Sequence, residues 1–204
     1  MDPVRFLTNA SSGKMGYALA EKAVGMGWDV DLLSGPVALK PVRGVRAHSF
    51  VSADDMLVAI RPLFRNCDVL FMVAAVADYR PVCREAQKMK KTMMQSSVDL
   101  VRTTDILSSL AAGKKRQIAV GFAAETNNLE EYARKKLTDK GLDWIVANDI
   151  SSPEVGMEVD DNRIILLSAT GLRMPFGPAP KSEVATFILE NVRASVESAQ
   201  AAVR

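Results

Sequence analysis

The stretch DVLFMVAAVA, Asp68–Ala77, decides the fold. After Asp68 it carries no charge and no polar alternation for nine residues. A continuous apolar run of this length describes a strand covered on both faces, the habit of parallel sheets flanked by helices. Asp78-Tyr79-Arg80 follows at once, so small side chains give way to an acid at the carboxyl end of the strand. Open α/β sheets bind their ligands at that end. The alternative is an ordinary strand-to-loop transition with a solvated Asp78.

The flanking segments repeat the pattern. Upstream, Ser52-Ala53-Asp54-Asp55 has the form of a capping box, and Met56, Leu57, Ile60, Leu63 and Phe64 then make one apolar helical face. Val30–Leu33 is a short strand closed by Ser34-Gly35-Pro36. Before it, Gly13 to about Gly27 carries Met15, Ala18, Leu19, Ala23 and Met26 at helical spacing, with Ser12 as the expected cap. Downstream, a helix from about Asp105 to Ala112 precedes a second apolar run, Gln117–Phe122. The following helix is capped by Asn127 or Asn128, places Glu130 and Glu131 in its first turn and Lys135, Lys136 and Lys140 in its last, and stops at Gly141. Trp144–Ala147 and Arg163–Leu167 are further strands, and Ser182 to about Val203 is a closing helix with Val184, Phe187, Ile188 and Val192 inward. Strands alternating with helices imply a doubly wound α/β sheet. Arg80–Leu100 breaks the rhythm; it is polar, basic and rich in Met and Gln, an excursion from a single domain spanning 1–204.

Composition excludes several classes of function. The 204 residues are 48% hydrophobic and 25% charged, as in ordinary globular domains. Lys plus Arg number 26 against 24 Asp plus Glu, a net charge of +2 too small to point to nucleic acid or a membrane surface. No apolar run approaches 18 residues, and the opening MDPVRFLTNASS has no signal-peptide core. With only Cys67 and Cys83 there is no disulfide framework, so a cytoplasmic location is expected. A single histidine, His48, excludes a His-based triad and a multi-His metal site, and it reads as structural or exposed.

Four segments could carry chemistry. Asn9-Ala10-Ser11-Ser12-Gly13-Lys14-Met15-Gly16 joins an extended segment to the first helix, where backbone N–H groups, two hydroxyls and the helix dipole suit a phosphate. Gly13 would permit close approach and Gly16 tight helix packing. The alternative is an ordinary Ser-capped helix, since the motif is neither GxGxxG nor GxxxxGK[ST]. Arg80, Arg84, Lys88, Lys90 and Lys91 lie within twelve residues, opposed by Glu85 alone, and would meet a triphosphate or simply be solvated. Phe122 could stack on a base or belong to the core. Lys136 and Lys140, one helical turn apart, could grip one anion or merely complement the helix dipole.

Taken together, these segments resemble the phosphopantothenate–cysteine ligases (phosphopantothenoylcysteine synthetases) of coenzyme A biosynthesis. The resemblance is carried by DPVRF through SSGKMG over Asp2–Gly16, LSGPV over Leu33–Val37, AAVADYR over Ala74–Arg80 and KMKK over Lys88–Lys91. It continues in GFAAETNN through EEYARKK over Gly121–Lys136, ANDIS over Ala147–Ser151, Asp161-Asn162 and Lys181. It implies a Rossmann-like, mostly parallel sheet with helices on both faces, plus a dimerisation arm at 80–100 that reaches the partner's active site in a homodimer. The implied reaction joins 4′-phosphopantothenate and L-cysteine through an acyl-cytidylate formed from CTP with Mg²⁺ present. The resemblance implies that Asn9 holds the intermediate for cysteine and that Lys88 serves the first step. Ser11, Ser12, Gly13 and Lys14 would meet phosphates, and Met72, Val73, Ala74, Asp78, Thr104, Asp105, Ile106, Leu107, Phe122, Lys136 and Lys140 would surround the nucleotide. No metal ligands are implied by number. Two departures stand out: Thr103-Thr104-Asp105-Ile106 replaces the Asn-Pro-Asp-Ile of bacterial relatives, and their opening β-strand and Gly/Thr-rich turn have no counterpart ahead of Asp2. In many bacteria a flavin-dependent phosphopantothenoylcysteine decarboxylase domain precedes that strand.

Overall fold

The computed structural model describes residues 1–90, 97–125, 127–149 and 161–201. Lys91, Met93, Met94, Thr126, Ile150, Ser151 and Val203 lie outside the described residues. The main sheet has five strands in the order β3-β6-β7-β8-β9. In it β3 (Val69–Met72), β6 (Ile118–Glu125) and β7 (Trp144–Asp149) are parallel, while β8 (Asp161–Ser168) and β9 (Arg173–Pro180) are antiparallel. β1 (Asp31–Ser34) and β2 (Arg46–Ser49) form a separate parallel pair, and β4 (Tyr79–Pro81) and β5 (Leu100–Arg102) an antiparallel ribbon. The architecture is α/β with a mixed sheet.

Helices cover both faces, and the alternation along each strand assigns its residues to one side or the other. On one side α2 (Ala53–Asn66), α3 (Ile106–Ala111) and α4 (Leu129–Asp139) pack Met56, Ile60, Phe64, Leu107, Leu110 and Leu137 against Ile145 and Ala147. On the other, α1 (Lys14–Gly25) and α5 (Lys181–Ala201) pack Leu19, Val184, Ile188 and Val192 against Val120, Val146 and Leu166. Phe187 of α5 stacks on Phe176 of β9, centroids 4.4 Å apart. The capping box of α2 is present: the Ser52 hydroxyl accepts from Asp55 N, and the Asp55 carboxylate accepts from Ser52 N. Among the described residues no helix is long and apolar enough to cross a membrane.

The structure corrects several expectations. The Asp68–Ala77 run is strand only over Val69–Met72, and Val69–Phe71 are half-buried because β3 has a partner on one side alone. The chain then leaves the sheet, and Val76 N bonds to Ala74 O at 3.0 Å. Helix α1 is capped by Gly13 rather than Ser12, whose hydroxyl reaches Lys14 N only at 3.5 Å. Asn128 occupies the α4 cap through a left-handed backbone, φ 48°, with no side-chain cap bond. Gly16 has room for a methyl group against Val73, 3.8 Å away, so close packing does not require glycine there. Strands β2, β4, β5 and β9 had no clear signal in the sequence. β9, RMPFGPAP, carries three prolines, which an edge strand tolerates. Its Gly177, φ 95°, leaves no space for a side chain, since a Cβ would stand 2.4 Å from Asn162 O.

Candidate active site

The described residues enclose a cavity of about 1020 Å³ that opens at the carboxyl ends of β1, β3 and β6. Its rim is the segment Thr8–Gly13, which leads into α1. Gly13 sits at the helix start with φ 76°, and a Cβ there would come within 3.0 Å of Val37 Cγ1. Both the left-handed backbone and the close approach therefore require glycine. The positive end of the α1 dipole faces this rim, where Ser11, Ser12 and Lys14 also line the wall. Asn9 Nδ2 donates to Val76 O at 3.2 Å, tying the rim to the loop after β3. The end of β3 and that loop bring Met72, Val73, Ala74 and Asp78 to the cavity. The end of β5 braces it from behind: Thr103 N donates to Asp78 O at 2.9 Å, and the Thr103 hydroxyl donates to Ala77 O.

The opposite wall is the end of β6. Phe122 lines the cavity, and its carbonyl accepts from Lys136 Nζ at 2.7 Å, which brings the α4 lysine to the same wall. Lys14, Lys136 and Lys181 give this end of the cavity its positive charge. Asp78 lines the cavity too, as do Asp29 and Asp31. A helix start, hydroxyls and lysines around one opening form a receptor for an anionic, phosphate-bearing ligand.

Three residues of the floor were missed as site residues in the sequence. Asn148 is next to last in β7, Asn162 is second in β8 and Lys181 begins α5, and all three are buried and line the cavity. The side-chain carbonyls of Asn148 and Asn162 are buried without a hydrogen-bond partner, while Asn162 Nδ2 points to Met15 Sδ at 3.9 Å. A buried acceptor left unpaired costs stability, which a donor on a bound ligand would restore. The available signal was the position of Asn148 directly after the apolar Trp144–Ala147 run, the same strand-end rule that singled out Asp78.

Other expected site residues lie elsewhere. Ile106 and Leu107 are core side chains beneath α2. Thr104 is exposed, and Asp105 caps α3 by accepting from Ser108 N at 3.0 Å. Asp105 also pairs with Lys140 Nζ at 2.8 Å. Burial works against its charge, but the Lys140 and Ser108 bonds prevail and hold its carboxyl below the ordinary value. Lys140 thus faces Asp105, while Lys136 faces Phe122. The two lysines meet only in a surface groove of about 340 Å³ with Tyr132. Lys88 is exposed on the excursion and does not line the main cavity. His48 is a surface residue whose Nε2 lies 2.9 Å from Asp31.

The excursion is anchored by Asp2. Its buried carboxylate accepts from Val4 N and Arg5 N at 2.8 and 2.7 Å, from Met89 N at 3.2 Å and from the Arg5 guanidinium at 2.8 Å. Burial raises the pKa, yet the three backbone bonds and Arg5 outweigh it and bring the carboxyl down to about 2.

An α/β sheet with such an opening at its strand ends is the architecture of domains that take phosphorylated ligands. Comparison with known proteins narrows that class. The family model of the DNA/pantothenate metabolism flavoprotein C-terminal domain matches residues 1–196, and the chain belongs to that family. It is 45% identical over 195 residues to the coenzyme A biosynthesis bifunctional protein CoaBC of Bacillus subtilis, covering 95% of this chain and 48% of that protein. The chain therefore spans about half the length of that relative. The crystal structure of a CoaBC C-terminal domain superimposes with a TM-score of 0.82 at 43% identity, covering 97% of this chain and 89% of the other. A mutant of Cab2 in complex with phosphopantothenate-cysteine shares the fold, with a TM-score of 0.77 at 16% identity over 98% of this chain and 82% of that one.

Proposed function

We propose that this chain is a ligase that joins 4′-phosphopantothenate to L-cysteine in coenzyme A biosynthesis, using CTP and passing through an acyl-cytidylate. The observation that carries the reading is the convergence of the Ser11–Lys14 helix start, the Ala74–Asp78 loop, Phe122 and Lys136 on one cavity. Membership of the pantothenate-metabolism family and the phosphopantothenate-cysteine bound by a protein of the same fold support it.

In the first step the phosphopantothenate carboxylate attacks the α-phosphorus of CTP, and the bond to the β-phosphate oxygen breaks to release pyrophosphate. Two anions must meet, so cations have to screen the attacked phosphate and the departing one. Lys14 and the α1 start would hold phosphate oxygens at the rim, and Lys136 stands on the Phe122 wall. In the second step the cysteine amine attacks the acyl carbon, loses a proton and expels CMP. Asn9, between the rim and Val76, would hold the intermediate through its amide. Among the described residues no group of three or more His, Cys, Asp or Glu converges to form a cage for Mg²⁺. Asp78 is the acidic side chain that would face an ion carried on the phosphates, whose chemistry is charge screening.

Lys88 would act across a homodimer, because it is exposed and off the cavity of its own protomer. The ribbon that carries its segment exposes Tyr79, Val82, Val98, Leu100 and Val101, apolar surface suited to a second copy. The bifunctional relatives make a decarboxylase domain a further proposed partner.

The test is pyrophosphate release, which should require both CTP and 4′-phosphopantothenate. Lys88→Gln should lower it by about 10²–10³-fold, the loss of one charge-stabilising contact. Release within twofold of the parent would remove Lys88 from the mechanism. A second reading, a nucleotide-binding chain without catalysis, is favoured by the open flank of the sheet between β1 and β3. It expects CTP binding with no pyrophosphate release.

A further inference from the structure

The cavity floor at the end of β7 holds three polar side chains that the proposed reaction does not use. Asn148, Asn162 and Lys181 are 9%, 3% and 7% exposed, and all three line the cavity. The register of the sheet puts the two asparagines on one face. Val146 and Ile164 belong to the core beneath α1 and α5, and Asn148 and Asn162 each lie two residues along the strand from one of them. Their cross-strand neighbours are small: Ala124 stands beside Asn148 on β6, and Ala179 beside Asn162 on β9. That row has no bulk to cover the carboxamides. Met15, in the first turn of α1, meets Asn162 Nδ2 at 3.9 Å, and Lys181 opens α5 two residues after Ala179. The starts of both helices therefore adjoin Asn162, next to the Ser11–Lys14 rim.

These groups specify what could complete them. Among the described residues the side-chain oxygens of Asn148 and Asn162 accept no hydrogen bond. Both are neutral acceptors held out of water, so their counterpart is an N–H donor carried by a ligand. Lys181 and the two helix starts beside them attract an anion. The carboxylates of the cavity stand elsewhere, Asp29 and Asp31 at the amino end of β1 and Asp78 beyond β3. An amine two bonds from a carboxylate, the head group of an α-amino acid, matches two neutral acceptors beside a cation. We propose that Asn148, Asn162 and Lys181 form the subsite for that head group: the amine gives one N–H to each carboxamide oxygen, and the carboxylate meets Lys181. That the amino acid is L-cysteine rests on the ligase reading, whereas the floor follows from the register and the unpaired oxygens. An amine bound in this way keeps its lone pair free for attack. Carboxylates in place of the asparagines would favour the ammonium form, which has no lone pair. The asparagines are thus positioning residues for the second step and take no part in the attack on CTP. An apolar pair at these positions would suit the folded chain better, as expected of residues kept for binding.

The test is titration calorimetry on the full chain, without nucleotide. Its probes are L-cysteine, cysteamine, which lacks the carboxylate, and 3-mercaptopropanoate, which lacks the amine. The parent should bind L-cysteine saturably at millimolar concentration and each truncated analogue about tenfold more weakly. Asn148→Leu and Asn162→Leu should each weaken L-cysteine about tenfold while unfolding at the parental temperature or above, because each removes an unpaired buried acceptor. Lys181→Met should lose the preference for cysteine over cysteamine and keep that over 3-mercaptopropanoate. Should the leucine variants fail to fold, the analogue series and Lys181→Met decide. Cysteamine bound by the parent as tightly as cysteine, no saturable binding of L-cysteine, or parental affinity in both leucine variants would overturn the proposal. So would displacement of L-cysteine by CTP, which would give the floor to phosphate. Binding that follows the expected order while no acyl-cytidylate forms would keep the floor and sink the ligase reading. Acyl-cytidylate that passes to amide at the parental KM for cysteine in both leucine variants would do the reverse.

Discussion

Two apolar runs of similar composition meet different fates in this molecule. Trp144–Ala147, WIVA, sits between β6 and β8 and is fully enclosed, with Ile145 and Ala147 at 0% exposure. Val69–Met72, VLFM, has β6 on one side and the cavity on the other, and three of its four residues are half-buried. Helices cover both runs, so the difference lies in the plane of the sheet. An apolar parallel strand is buried by neighbours on both edges as much as by helices on its faces. Among the described residues β6, β7 and β8 each have a strand on both sides, whereas β1 and β3 each border the cavity on one side.

The largest expected effect contrasts the two halves directly. Ile145→Ala should cost about 3–4 kcal/mol in urea unfolding, the toll of a cavity in an enclosed core. Leu70→Ala, on the strand beside the opening, should cost about 1 kcal/mol. Equal losses would mean that the cavity beside β3 is closed in solution. Hydrogen exchange sharpens the same contrast: β7 amides should exchange about 10²-fold more slowly than those of β1 and β2, because a strand flanked on both sides opens only with the whole fold. Comparable protection on both sides would erase the distinction.

A smaller effect concerns the anchor of the excursion. The Asp2 carboxyl is near 2 when folded against 3.8 when free, so its stabilisation is complete above about pH 4 and is lost as pH falls from there through 2. Protection of the Met89 amide should fade over that window, whereas Asp2→Asn should lose it already at neutral pH. Pale, pH-independent protection in both proteins would show that Asp2 does not hold the segment. The smallest effect belongs to β2. His48→Ala breaks an exposed pair with Asp31 and should change stability by less than about 0.5 kcal/mol. A loss above 1 kcal/mol would place β2 among the enclosed strands.

The legible parts of the fold are those whose own sequence satisfies them. The α2 capping box, the acidic start and basic end of α4 and the inward stripe of α5 are local patterns, and each helix formed where expected. Strands that depend on a partner were not legible. Arg46–Ser49 is polar, β9 is full of proline, and Tyr79–Pro81 with Leu100–Arg102 pair across an excursion of some twenty residues. The run through Ala77 misled because an apolar stretch can line a cavity without being extended; Val73–Val76 is half-buried to exposed loop on the cavity wall. At the site, the rim and Phe122 were readable from glycine and strand-end rules. Asn148 and Asn162 were not, because an asparagine at a strand end looks like a cap until its unpaired carbonyl is seen beneath a cavity. Lys136 and Lys140 looked alike in spacing, and only their partners, Phe122 O for one and Asp105 for the other, separate them.

The most direct measurement is a rapid quench of CTP and 4′-phosphopantothenate, with and without cysteine, analysed by mass spectrometry. Without cysteine the acyl-cytidylate should appear, and with cysteine it should pass into the amide. In Asn9→Asp it should accumulate while little amide forms, since the first step rests on cations and the second on the amide that this change removes. Absence of an acyl-nucleotide from the parent under every one of these conditions, or amide formation in Asn9→Asp at the parental rate without build-up, would contradict the assignment of this cavity to acyl-nucleotide ligation.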